Sequence, residues 1–187
     1  MGSSLVFWAE SRAKSNQAVG RELTRSNVTW HGQRGMEWQQ LLPKMQHLLR
    51  SAPAPTWICL HLGGNDLASI PLRPLTAMAV QDVRTLHKIL PNTLIIWSDV
   101  LPRMHYRGAQ SDAKVEKARK TFNSAIKKHV SAMNGVCIRH PLIQWNTPLI
   151  FRPDGVHLNN KGNDIFINDL ATGLNTSNKQ LYRTPKI

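Results

Sequence analysis

The stretch Thr56-Trp57-Ile58-Cys59-Leu60-His61-Leu62-Gly63-Gly64-Asn65-Asp66 decides how this chain is organised. It opens as a nearly continuous run of apolar and β-forming residues, and such a run reads as a strand buried on both faces. Two glycines end it, which suits a tight turn or a close approach of backbone. Asn65 and Asp66 come directly after them. In an open α/β sheet, functional side chains sit beyond the carboxyl ends of the strands, and that is where this pair falls.

Outward from there, helical and strand patterns alternate. Residues 5–19 read as a helix, with Phe7 and Trp8 as core candidates, and residues 27–31 as a strand. Residues 35–50 form an amphipathic helical pattern, with Trp38, Leu41, Leu42, Met45, Leu48 and Leu49 at helical spacing. After the quoted strand come a helix over 74–90 with proline in its first turn and a strand over 93–100. A long helix over 111–133 and a short strand over 135–138 come next. A proline-containing loop spans 141–153, a last helix 160–174 and a polar tail 175–187. The alternation predicts an α/β fold, a parallel sheet covered on both faces. It also predicts one domain over 1–174, since 187 residues suit a single domain of ~150 residues or somewhat more.

Composition narrows the classes. Hydrophobic residues make up 41% and charged residues 19%, which excludes a disordered chain. The formal net charge of +13 favours anionic company, either nucleic acid or an anionic membrane surface. No apolar run approaches the ~20 residues of a membrane helix, and residues 1–14 lack a basic-then-apolar leader pattern, so a cytoplasmic protein is expected. Cys59 and Cys137 read as small apolar strand residues kept reduced. The histidines show no zinc-ligand spacing. The Asn-x-Thr at Asn27 and Asn-x-Ser at Asn175 read as chance matches.

Four segments stand out for chemistry. Gly2-Ser3-Ser4-Leu5 opens a helix. A serine there is ordinarily an N-cap, or else a nucleophile whose anion the helix amides and dipole stabilise. Trp30-His31-Gly32-Gln33-Arg34-Gly35 is ordinarily a strand-to-helix turn, but its glycines also let an amide approach a ligand. In Gly63-Gly64-Asn65-Asp66 the ordinary role is a turn with Asp66 as a cap. The chemical role makes Asn65 a donor to a developing oxyanion. Asp154-Gly155-Val156-His157 is an Asp-Gly turn, or a carboxylate holding an imidazole in one tautomer as a serine base requires.

Together, and in this order, these segments resemble the SGNH hydrolases, the GDSL esterase/lipase superfamily. The resemblance runs from residue 2 to about residue 170. The form Gly2-Ser3-Ser4-Leu5-Val6 with Trp8, and Gly32, Gly35, Met36 and Trp38 later, is similar to a branch that includes esterase-like domains associated with vertebrate transposable elements. The resemblance implies a flavodoxin-like three-layer α/β/α fold with five parallel strands in the order 2-1-3-4-5. It implies Ser4 as nucleophile and His157 as base, oriented by Asp154. The Ser4 amide, the Gly32 amide and the Asn65 side chain would form the oxyanion hole, with Gly35 the alternative to Gly32. Ser3 stands where the family has Asp, and so competes with Ser4. Substrates would be esters of small acyl groups, lipids or decorated sugars, with no metal or cofactor.

One departure concerns the sheet. In the family a central strand delivers the serine, whereas here only Met1 and Gly2 precede Ser3. The expectation is a sheet lacking its first strand, with a slot between that strand's neighbours. The alternative function is therefore an idle SGNH-fold domain that binds anionic partners. The helix over 111–133 offers the surface, with Lys114, Lys117, Lys120, Lys127 and Lys128 on one side. A solvated helix face is its ordinary role, and weak, salt-sensitive phosphate contact is the other.

Overall fold

The computed structural model describes residues 1–16, 18, 19, 21, 23 and 28–181, with side chains as far as residue 176. Three parallel strands form its sheet: β1 (Trp57–Leu60), β2 (Leu94–Ser98) and β3 (Val136–Ile138), in that order across the sheet. The helices are α1 (Ser4–Ser15), α2 (Leu41–Ser51), α3 (Leu72–Ile89), α4 (Asp112–Ala132) and α5 (Asn160–Leu181). Both faces of the sheet are covered. Ile58, Leu60, Ile95 and Trp97 join one core with side chains of α2, α3 and α4. Ile96 and Ile138 join a second core with α1 and α5. Successive strand residues point to opposite faces, so a fully covered sheet needs the unbroken apolar runs seen here.

The centre of the first core is aromatic. Trp38, Trp97 and Phe122 are fully buried, with ring centroids 5.7–6.0 Å apart. The indole of Trp38 also donates to Asp82 on α3 at 3.0 Å. On the other side Arg12 of α1 makes a bidentate pair with Asp164 of α5, at 2.6 and 2.8 Å.

Several expected elements differ in extent. The first helix ends at Ser15, and its buried residues are Ser4, Leu5, Val6 and Ala9. Phe7 and Trp8 are only half-buried. Residues 28–31 join no named strand, and Asn27 lies outside the described residues. The pattern over 35–50 is a 3-10 turn, Trp38–Gln40, leading into α2. Glu37 and Gln40 form a reciprocal capping box there, which tightens the entry. The last helix continues to Leu181, well into the segment expected as a polar tail. Residues 182–187 lie outside the described residues. The two cysteines are free, as their strands' separation by β2 requires.

The sheet does not stop at β1. Gly2 makes parallel bridges to Gly32 on one side and to His61 on the other. Gly2 N donates to His31 O at 3.2 Å and Gln33 N to Gly2 O at 3.0 Å. On the β1 side His61 N donates to Met1 O at 3.0 Å, and the Met1 ammonium to Cys59 O at 2.6 Å. Met1 and Gly2 thus occupy the central position as a two-residue stub. As expected, no named strand fills this position among the described residues; the pairing there is made by Met1 and Gly2.

Beneath the stub runs a buried polar chain. His61 Nδ1 lies 3.0 Å from Ser98 Oγ, Ser98 Oγ 2.8 Å from His140 Nε2, and His140 Nδ1 3.0 Å from Asp169 Oδ2. The Ser98 hydroxyl donates to one ring and accepts from the other, so it has a partner on both sides. Burial pushes the His61 pKa well below its ordinary value, and His140 and the Met1 ammonium push the same way. The unfolded chain binds this proton near pH ~6.5, while the folded chain resists it. This contribution to stability is therefore complete above that pH and is lost as the pH falls towards the folded value. Urea denaturation between pH 8 and pH 5 should show stability falling on the acid side, and less steeply in His61→Gln.

Candidate active site

Ser4 is placed by backbone contacts on both sides of the stub. A β-carbon on Gly2 would collide with the His61 carbonyl, and one on Gly32 with the Phe7 amide. Glycine at both positions lets three backbone segments approach more closely than side chains allow. The chain then turns directly into α1. Ser3 takes the N-cap position with extended backbone and makes no side-chain capping bond. Ser4 is the first helical residue, beside amides that the helix itself leaves without partners.

The Ser4 side chain meets the distant Asp-x-x-His segment. His157 Nε2 lies 3.0 Å from Ser4 Oγ, and His157 Nδ1 lies 2.7 Å from Asp154 Oδ2. The imidazole bond is thus to Ser4 and not to its competitor Ser3. Asp154 Oδ1 accepts from the amides of Val156 and His157, both at 2.9 Å. Partial burial pushes the Asp154 carboxyl up, but the His157 ring and these two amides outweigh it and bring the pKa down to about 2. A carboxylate held ionised fixes the imidazole with hydrogen on Nδ1 and a lone pair on Nε2 facing Ser4.

Asn65 sits at the turn after β1. Its Nδ2 donates to Met36 O at 2.9 Å, and its Oδ1 accepts from Arg103 Nη2 at 2.8 Å. That orientation leaves one amide hydrogen uncommitted. Asp66 ties the turn inward instead, accepting from the Trp38 amide at 2.9 Å. Its side chain thus serves the 3-10 turn ahead of α2 rather than capping the chain beyond Asp66 itself. Gly35 lies exposed in a turn with φ +72°, whereas Gly32 bridges Gly2 against the start of α1.

Three contributors were not singled out for the site by the residue pattern. Arg103 has its guanidinium buried by the Asn65 turn, and burial lowers its pKa. Its loop is held by Asn123, which donates to Val100 O at 3.0 Å and accepts from Val100 N at 2.9 Å. Arg152 and Trp8 form the other link. The guanidinium lies 4.0 Å from the indole centroid, and Arg152 Nε donates to Leu158 O at 3.1 Å. The backbone of Arg152 also donates to His157 O at 2.7 Å. Trp8 is therefore a surface on which the histidine loop rests, which explains its partial exposure on α1. Only its spacing from Ser4, one helical turn on, signals this role.

Beside these residues runs a groove of about 490 Å³, lined by Arg103, Met104, Glu116, Lys117, Lys120 and Trp145. Trp145 is 56% exposed, so it is no core anchor. Leu142 and Leu149 on the same loop are also exposed. The groove adjoins the site through Arg103 and through Met104, whose amide donates to Gly155 O at 2.8 Å. Among the described residues no cluster of three or more His, Cys, Asp or Glu could hold a metal ion. No helix among them is long and apolar enough to cross a membrane.

Comparison with known proteins gives an independent view. The family model of the GDSL-like lipase/acylhydrolases matches residues 1–165. No curated protein matches the sequence. Among solved structures, a GDSL-like lipase from Bacteroides thetaiotaomicron superposes with a TM-score of 0.75 at 16% identity, over 95% of this chain and 86% of that one. The lipase/acylhydrolase from Enterococcus faecalis gives 0.66 at 14% identity, over 94% and 93%. The psychrotrophic esterase EstA from Pseudoalteromonas sp., in a structure inhibited by monoethylphosphonate, gives 0.64 at 14% identity, over 94% and 87%. At these identities the likeness is one of fold.

The Arg152–Trp8 contact generates a prediction. A partly desolvated cation–π pair contributes about 0.5–2 kcal/mol, so Arg152→Ala should lower turnover of a reporter ester by roughly two- to thirtyfold. Arg152→Lys should recover part of the loss. Unchanged turnover in both would show that the loop holds His157 without this contact.

Proposed function

The chain belongs to the GDSL-like lipase/acylhydrolase family, and we propose that it hydrolyses carboxylic esters through an acyl-enzyme on Ser4. The observation that carries this reading is the hydrogen-bonded series Ser4–His157–Asp154 at the N-terminus of α1. His157 Nε2 takes the Ser4 proton as Oγ attacks the carbonyl carbon. The carbonyl oxygen becomes an oxyanion, received by the Ser4 and Gly32 amides and the free hydrogen of Asn65 Nδ2. Collapse breaks the ester bond, and the imidazolium returns its proton to the leaving alcohol. A water molecule, deprotonated by His157, then attacks the acyl carbon and frees Ser4 with a carboxylic acid. Asp154 stays ionised throughout and stabilises the imidazolium.

The groove supports a substrate with an apolar portion. Met104 and Trp145 offer the apolar lining, and exposed Leu142 and Leu149 extend it along one loop. Esters of small acyl groups or lipids fit better here than a purely polar alcohol. The narrower kinship with transposable-element-associated esterase-like domains forms part of this reading, on Gly2–Val6, Trp8 and the Gly32–Trp38 segment.

The second reading is an idle scaffold for anionic partners. Lys114, Lys117, Lys120 and Lys128 are exposed on α4, which favours it. Arg119 is withdrawn from that face, paired with Glu116 at 2.6 Å and donating to Val100 O at 2.6 Å. Any such contact to nucleic acid or an anionic membrane surface should weaken steeply with salt.

A fluorophosphonate probe, which reacts with activated serines, separates the two readings. Labelling is expected in the native chain, and Ser4→Ala and His157→Ala should each reduce it by about 10³-fold or more. Labelling lost in Ser3→Ala but retained in Ser4→Ala would move the nucleophile, and a folded chain that never labels would favour the scaffold. Arg103→Met tests the Asn65 donor separately. Losing one oxyanion donor costs about 10²–10³ in kcat, so a loosened donor should cost roughly tenfold in kcat with KM unchanged.

A further inference from the structure

Two guanidiniums converge on Trp8. Arg152 lies 4.0 Å from the indole centroid, and Arg34 lies 5.8 Å from it. They come from the two loops that flank the start of α1. Arg34 follows Gly32, which packs against the Phe7 amide. Arg152 opens the turn that carries Asp154 and His157, its carbonyl accepting from Gly155 N at 2.9 Å. Trp8 is half-buried, with the Phe7 ring edge-on to it at 5.2 Å.

No acid balances this pair. Among the described residues neither guanidinium forms an ion pair. The acids nearest in sequence are engaged elsewhere, Glu10 with Lys14 at 2.7 Å and Asp154 with His157 at 2.7 Å. Arg152 gives its Nε hydrogen to Leu158 O, which leaves its two terminal nitrogens for another acceptor. Arg34 is exposed. The indole attracts each cation, but the two cations repel one another. An anion between them turns that repulsion into two charge-assisted pairings, and each guanidinium fork fits two oxygens of a phosphate.

The pair stands one helical turn from Ser4. Ser4 and Trp8 are four residues apart on α1, so they share a face, and the axial rise between them is about 6 Å. In ester hydrolysis His157 must reach the leaving oxygen, which puts the alcohol on the side of Ser4 where the histidine loop lies. Arg152 belongs to that loop. The groove that joins Asn65 through Arg103 is left for the acyl chain. At ~1.5 Å per bond, a three-carbon alcohol carries a terminal phosphate about 6 Å from the scissile carbonyl.

We propose that Arg34 and Arg152, carried on Trp8, bind a phosphate on the alcohol of the substrate, so that the chain acts on acyl esters of small phosphorylated alcohols. The substrate class rests on the ester-hydrolase reading of Ser4, whereas the anion site stands without it. Hydrolysis yields a carboxylic acid and the phosphorylated alcohol. A neutral alcohol forgoes both pairings, and a carboxylate has oxygens for one fork only. Arg34 is the member that reports selectivity, because Arg152 also holds the histidine loop.

The test uses the 187-residue chain and the butyryl esters of glycerol, glycerol 3-phosphate and glyceric acid. The kcat/KM for the phosphate ester should exceed that for the glycerol ester by about tenfold or more, with the carboxylate ester between them. Arg34→Gln should narrow the phosphate-to-glycerol ratio by about tenfold, and Arg34→Lys should restore part of it. The ratio is the readout, because a loosened histidine loop slows all three esters alike. Equal kcat/KM for the phosphate and glycerol esters overturns the proposal. A ratio that Arg34→Gln leaves unmoved overturns the assignment to this arginine pair. A carboxylate ester turned over as fast as the phosphate ester overturns selection for phosphate. Calorimetry with glycerol 3-phosphate separates the anion site from the hydrolase reading. Binding in the range of about 1 mM, weakened about tenfold by Arg34→Gln, supports the site even where no ester is turned over, an outcome that would sink the hydrolase reading alone. Absence of binding at about 20 mM glycerol 3-phosphate overturns the site.

Discussion

Everything at the edge that carries Ser4 depends on how closely Gly2 is held between two backbones. Its amide and carbonyl bond to the segment at residues 31–33, while Met1 beside it bonds to Cys59 and His61. No β-carbon fits at Gly2 or at Gly32. These ladder bonds fix where α1 begins. Once α1 starts at Ser4, the helix dipole, the Ser4 hydroxyl and the turn carrying Asn65 share one edge of the sheet. Arg12 and Asp164 then hold α1 to α5, the helix that succeeds the histidine loop.

Among the described residues are two Ser-His-Asp alignments, and access separates them. Ser98, His140 and Asp169 match the spacing of a relay, at 2.8 and 3.0 Å. Ser98 is fully buried and the His140 side chain is 2% exposed, so no ester reaches them. There the same chemistry satisfies buried polar atoms and anchors His61 beneath the stub. The His157 and Asp154 side chains are 26% and 44% exposed.

The support around the open site comes from both helical layers. Trp8 carries Arg152 and hence the His157 loop, while Asn123 and Arg119 brace the loop that presents Arg103 to Asn65. The basic surplus divides along similar lines. Arg12, Arg103, Arg119 and Arg152 each bond within the fold, whereas Lys114, Lys117, Lys120 and Lys128 of α4 are exposed.

The sequence by itself determined the layers, because burial on both faces demands unbroken apolar strands and amphipathic helices. The runs at Thr56–Leu62 and Thr93–Val100 show that pattern directly. It also carried Ser4, Asn65, Asp154 and His157, since short motifs keep their spacing wherever the chain goes. Only the tertiary structure decided that Ser4 rather than Ser3 meets the imidazole, because the choice depends on where α1 begins. It likewise gave Trp8, Arg103 and Arg152 their places, which arise from contacts between residues remote in sequence. The pairing of Gly2 with Gly32 and His61 belongs to the same class. Hydrogen bonding in a sheet is made between segments far apart in the chain, and no local pattern records it.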